Sequence, residues 1–116
     1  MPKRVKAIHL VYAKWCPHCV PTVIEPARAM AMELNVPCRL YDIDTEDEKL
    51  ADELVRKYGD WSEDYVIPQL FFEFEDGEIA HVLTGKREGV EYTKRSVMEL
   101  MRSDFYNSLK RLHGSR

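Results

Sequence analysis

The chain reads as an α/β protein with strands and helices in the order β-α-β-α-β-β-α. Three observations carry that reading. Short apolar runs rich in β-branched residues alternate with longer stretches whose apolar positions recur every three or four residues. Asp76-Gly77 stands between two apolar runs, the strongest short turn signal in the chain. No repeat or low-complexity linker interrupts the pattern, so the 116 residues are expected to form one domain, with a helical extension from about residue 102.

Val5–Tyr12 is the first strand, apolar and partly β-branched. A helix is predicted from about Pro17 to Leu34, with Val20, Val23, Ile24, Ala27, Met30, Ala31 and Leu34 as its apolar stripe. Pro17 suits a first helical position, whereas Pro26 predicts a kink by removing a bond to the carbonyl of Thr22. Asn35 and Pro37 end this helix. Cys38–Ile43 is the second strand, and the acidic run Asp42–Glu48 reads as a solvated strand exit and helix start. A short helix from Glu46 to Tyr58 is expected to turn Leu50, Leu54, Val55 and Tyr58 inward and to stop at Gly59. Asp60–Tyr65 is a polar loop carrying Trp61, read as a packed anchor. Gln69–Glu75 and Glu78–Thr84 form the hairpin. From Thr93 to Leu112 the positions Val97, Leu100, Met101, Phe105, Leu109 and Leu112 predict a final helix, broken near Ser103-Asp104.

Composition excludes several classes of function. Charged residues make up 32% of the chain at a formal net charge of −3, which speaks against nucleic acid or an anionic membrane as partner. No apolar run approaches the ~20 residues needed to span a bilayer. The short apolar stretch between Arg4 and Lys14 lacks a small-residue cleavage site and does not read as a secretory signal. The three cysteines are an odd number, two of them spaced as a redox pair, which fits a reducing cytoplasm better than a disulfide scaffold.

Chemistry concentrates in Trp15-Cys16-Pro17-His18-Cys19, at the junction of the first strand with the first helix. A Cys-x-x-Cys at such a junction is expected to set its first sulfur over the helix N-terminus, where unpaired N–H groups and the macrodipole favour the thiolate. The thiolate is the attacking species in disulfide exchange, and the second cysteine, one turn on, can close a ring. His18 can donate to the Cys16 thiolate or favour it electrostatically, making the disulfide more oxidising. A metal site would want a second Cys or His pair at ligand spacing, and Cys38 and His9 do not complete one. Cys38 reads as a small buried hydrophobe; His9, His81 and His113 read as surface or satisfied residues.

This order of elements, with Trp-Cys-x-x-Cys closing the first strand, resembles the thioredoxin-like family from about Val5 to Met101. Val66-Ile67-Pro68-Gln69 before the third strand, and Asp76-Gly77-Glu78-Ile79 followed by Gly85, are the further anchors. The resemblance implies a compact thioredoxin fold, a four-stranded mixed sheet with helices on both faces. It implies Cys16 as nucleophile, Cys19 as resolving thiol and a cis Pro68 beside them. Ile67 would pair through its backbone with an extended substrate segment, and Trp15, Ile67 and Gly85 would form an apolar docking surface.

Departures from the family are informative. The buried Asp that thioredoxins carry ahead of the first cysteine falls at Leu10, and its Lys partner at Leu40. Replacing both members avoids a stranded charge, and leaves open what deprotonates Cys19. Glu25 is one candidate, although it reads more simply as a solvated helix residue. The chain is nearer glutaredoxins in lacking a leading strand and helix, yet Gly85-Lys86-Arg87-Glu88 is not the usual glutathione turn, and Lys14 reads as a surface lysine. Cys-Pro-His-Cys is similar to the site of periplasmic oxidases, whose inserted helical domain this chain lacks. The tail from about Arg102 is expected to cover the face left by the missing elements or to mediate self-association.

The expected activity is thus a cytoplasmic, monomeric thiol–disulfide oxidoreductase acting on disulfide-containing protein substrates. A disulfide reductase would be its electron donor. It would need no cofactor or metal beyond the Cys16–Cys19 disulfide, with Pro17 and His18 completing the catalytic segment. Two alternatives stay open: a glutaredoxin-like enzyme using glutathione or another small thiol, and a non-catalytic or metal-binding interaction module.

Overall fold

A computed structural model describes residues 3–17, 19–63, 65–85 and 90–114. Its strands are β1 (Val5–Tyr12), β2 (Cys38–Asp42), β3 (Gln69–Phe74) and β4 (Ile79–Thr84); its helices are α1 (Ile24–Leu34), α2 (Glu48–Tyr58), α3 (Val90–Arg102) and α4 (Asp104–Gly114). The sheet order is β2-β1-β3-β4, with β1 parallel to β2 and antiparallel to β3, and β3 antiparallel to β4. This is the expected α/β architecture, consistent with a thioredoxin-like fold. The final helix divides in two at Ser103, where a break was expected.

Alternation along the strands builds two apolar layers. Ile8, Leu10, Leu70 and Phe72 face one side, packed with Ala27, Met30 and Leu34 of α1, Val97 of α3, and Tyr106 and Leu109 of α4. Val11 and Phe71 face the other side, against Ala51 and Val55 of α2. Helices therefore cover both faces, three on one and one on the other. β1 is central and almost wholly buried, so whatever follows its C-terminal end is held at a fixed height above the sheet.

Local chemistry explains most boundaries. Asn35 adopts the left-handed conformation (φ 57°, ψ 49°) and donates its N–H to the carbonyls of Ala31 and Met32, closing α1 as expected. The hairpin turn carries Gly77 at φ 92°, and Asp76 Oδ1 accepts the N–H of Glu78 at 3.0 Å. Ser103 breaks the last helix: its Oγ donates to Leu100 O at 2.6 Å and accepts the N–H of Tyr106 at 3.1 Å, capping α4. His113 then ties down the end of α4, its Nε2 accepting the N–H of Val5 at 3.0 Å and its Nδ1 donating to Leu34 O at 2.9 Å. The extension thus packs on the sheet face beside α1.

Several expectations need correction. α1 begins at Ile24, not Pro17; Pro17 and Pro21 offer no N–H, and residues 19–23 form turns. Pro26 consequently lies in the first turn of α1, where no N–H partner is lost and no kink is required. In α2 the buried residues are Ala51 and Val55, while Leu50 and Tyr58 are exposed. Gly59 caps that helix with extended rather than left-handed backbone (φ −111°, ψ −159°). In α4 the buried aromatic is Tyr106, not Phe105, because the break at Ser103 resets the helical phase. β2 ends at Asp42, one residue early.

Candidate functional site

Beyond Tyr12 the chain leaves the sheet through a compact turn. Cys16 N–H donates to Ala13 O at 3.2 Å, and the N–H groups of both Cys19 and Val20 donate to Cys16 O at 3.0 Å. Val23 and Ile24 in turn donate to Cys19 O at 3.1 and 2.9 Å. The Val20–Pro21 peptide is cis. Cys16 therefore sits on its own hydrogen-bonded turn, eight positions ahead of α1, and not at that helix's tip. The expectation that the α1 macrodipole acts directly on its sulfur is overturned, the cause being the prolines that delay the helix.

Both cysteines are free thiols within the buried cluster between the sheet and α1. Cys19 is fully buried, and Cys16 keeps 4% exposure. Burial above all pushes the Cys19 thiol up from its ordinary range; the N–H of Ala13 opposes this, and a hydrogen bond to Cys16 and the charges of Cys16 and Asp42 add to it. The pair is chemically asymmetric. Cys16 is far less open than a free surface thiol, which corrects the expectation of an exposed helix-tip sulfur.

Trp15 flanks the pair, 67% exposed, and its indole Nε1 donates to Asp44 Oδ2 at 2.6 Å. Asp44 is exposed, as expected of the acidic run, whereas Asp42 is not. Asp42 is 7% exposed and accepts the N–H of Asp44 on Oδ1 at 2.9 Å. The Ile67–Pro68 peptide is cis, as the resemblance implied. Register places it beside the cysteines' lead-in. Val11 pairs with Gln69 on β3, so Pro68 and Ile67 continue alongside Tyr12 and Ala13. Ile67 packs on the same cluster that holds both cysteines. Gly85 is buried, and its N–H donates to Pro68 O at 2.8 Å. Pro17 is exposed. Trp15, Cys16, Pro17, Cys19, Ile67, Pro68 and Gly85 thus collect at one end of the sheet. His18, and Lys86, Arg87 and Glu88 of the turn after Gly85, lie outside the described residues.

Sequence reasoning missed Gln69. Fully buried, its Nε2 donates to Asp60 O and Val66 O at 3.2 and 3.0 Å, and its Oε1 accepts the N–H of Asp60 at 3.0 Å. That amide pins both ends of the loop leading into Pro68. A buried, polar first strand residue directly after Ile-Pro was the available signal.

Other candidates settle into structural roles. His9 is buried with Nδ1 at 2.8 Å from Tyr41 Oη and Nε2 at 2.8 Å from Glu73 Oε1. Trp61 stacks under the Arg56 guanidinium, 4.4 Å from its ring centroid, and against Tyr65. Cys38 is half-buried against the core. Glu25 and Lys14 are exposed. Among the described residues no three His, Cys, Asp or Glu side chains group as a metal ion needs, and no helix is long and apolar enough to cross a membrane. No family model, curated protein or solved structure matches the chain.

Proposed function

We propose that this protein is a thioredoxin-like thiol–disulfide oxidoreductase that reduces protein disulfides. The observation that carries this reading is the asymmetry of the dithiol. Cys19 is sealed with its thiol pushed up by burial, and Cys16 is the more accessible of the two. An outer sulfur that a substrate can reach is placed to attack. An inner thiol is prepared to wait, then close the ring.

In this reading Cys16 attacks a substrate disulfide, forming a mixed disulfide and releasing one substrate thiol. Cys19 then attacks Cys16, the second substrate thiol leaves, and the Cys16–Cys19 disulfide remains for a reductase to reopen. The 4% exposure of Cys16 selects disulfides presented on extended segments, which can lie along Ile67 and against Trp15. A reducing cytoplasm is the compartment that suits such a donor.

Insulin reduction driven by dithiothreitol tests the proposal through the turbidity of the released chains. Activity is expected in the wild type, and none in Cys16→Ser. Cys19→Ser is expected to accumulate a covalent mixed disulfide with the substrate. An inactive wild type that retains zinc would instead favour a metal-binding module.

A further inference from the structure

We infer that Gln69 is a positioning residue that sets the Ile67 backbone to receive the extended segment of a substrate. The inference rests on the dithiol-exchange reading above and adds a residue to its docking surface.

Gln69 opens β3, paired with Val11 on one side and Thr84 on the other, and its side chain is fully buried. A buried amide is tolerated when its polar atoms find partners. Here Nε2 donates to Asp60 O and Val66 O at 3.2 and 3.0 Å, and Oε1 accepts the N–H of Asp60 at 3.0 Å. All three bonds go to backbone, so the amide fixes the course of the main chain. Two donors and an acceptor on one planar group are what an amide supplies. Ionised glutamate has no donor, leucine and methionine have none either, and asparagine is one methylene shorter. The residue type is therefore matched to the chain it holds.

That chain is the approach to the cis Ile67–Pro68 peptide. Val66 O is fixed by the Gln69 amide, and Pro68 O accepts the N–H of Gly85 at 2.8 Å. Ile67 stands between these two anchored carbonyls, packed on the cluster that holds both cysteines. Its backbone has little freedom to tilt, so an incoming strand meets a preset partner and less conformational entropy is lost in pairing. Asp60 is tied a second time, its Oδ2 accepting from Thr84 Oγ1 at 2.9 Å. Gly59 closes over the amide. A Cβ there would collide with Gln69 Oε1 and stand 2.8 Å from Phe71 Cζ. The φ of Gly59, −111°, is open to other residues, so these close approaches, not backbone strain, call for glycine at the end of α2.

Insulin reduction driven by dithiothreitol, and the rate of the reduced protein with 2,2′-dithiodipyridine, test this on the whole chain. Gln69→Leu is expected to raise KM for insulin about tenfold or more with kcat kept within about twofold, the mark of lost binding geometry with the chemistry intact. The small disulfide offers no strand to pair, and its rate per folded molecule should fall by less than about threefold. A glutamine that only supports the fold would move both substrates alike. That result, or an unchanged KM for insulin, overturns the inference. If Gln69→Leu fails to fold, Gly59→Ala decides by the same readings, since its methyl displaces the amide while Gln69 remains. A wild type that reduces neither disulfide, or a Cys16→Ser that reduces both as fast as wild type, overturns the exchange reading itself.

Discussion

Leu10 lies directly beside Leu40 across the parallel β1–β2 pairing, the first fully buried and the second partly so. The rung has no ionisable group, and the next rung on the same face of the sheet, Tyr12 with Asp42, lies two residues nearer the cysteines. Leu10→Asp is therefore expected to strand a charge in the core. Leu10→Ala should cost about 2–5 kcal/mol by cavity formation alone. Leu10→Asp should cost more at neutral pH and recover part of the loss as the solution is acidified and the carboxylate neutralised. Urea unfolding of both variants at two pH values checks this.

Alkaline stability should report on Cys19. Its thiol is held above the unfolded value chiefly by burial, with the hydrogen bond to Cys16 and the nearby charges adding. A raised value in the folded state means stability fully present below the unfolded thiol's pKa and lost as pH climbs through the folded one. Reduced protein should thus weaken from about pH 8.5 upward, by at most about 1.4 kcal/mol per pH unit from this group. Cys19→Ala and the oxidised protein should be flatter over the same interval, below the onset of tyrosine ionisation. Denaturant midpoints across pH 8–10 decide it; parallel curves for wild type and Cys19→Ala would reject the assignment.

The acid limb should involve His81. Burial lowers its pKa, opposed by the Asp60 carboxylate and the hydrogen bond at Leu83. A depressed value means stability present above the unfolded imidazole value, about 6.5, and lost as pH falls through the folded one. The ring packs on Phe71 at 5.3 Å between centroids and meets Thr84 Oγ1, which also donates to Asp60 at 2.9 Å. His81→Gln should lose less stability than wild type between pH 7 and 5, as read by thermal melting.

What was legible in the sequence was local. Asp76-Gly77 carries its own turn chemistry, and Ser103 its own cap, so the hairpin and the helix break could be placed from a few residues each. The cysteine pair and Ile67-Pro68 could likewise be named. The start of α1 was not legible, because Pro17 and Pro21 fit either a helix entry or a turn, and contacts of the surrounding fold choose between them. Asp42 and Asp44 were hidden for a different reason. Tyr12 and Trp15 lie about 30 positions away in sequence, and only the parallel register brings them together.

Two glycines should separate the site from the scaffold. A Cβ at Gly85 would stand 2.6 Å from Pro68 Cδ and 3.0 Å from Ile67 O, both parts of the segment expected to receive substrate. Gly85→Ala must displace that segment, since the contacts are with a proline ring and backbone, neither of which can swing aside. Gly77 lies at the far end of the β3–β4 hairpin with open space around its Cβ position, but its φ of +92° penalises any side chain. Gly77→Ala should lower stability by about 1 kcal/mol, a typical strain for such backbone, and leave disulfide reduction per folded molecule unchanged. Gly85→Ala should lower the rate per folded molecule as well, with the larger effect on a protein disulfide than on a small aromatic one, because only the protein needs the Ile67 backbone as a partner strand. Parallel measurement of unfolding midpoints and of rates on both substrates checks the contrast. Equal loss on the two substrates in Gly85→Ala would mean that the glycine supports the fold without shaping the docking surface.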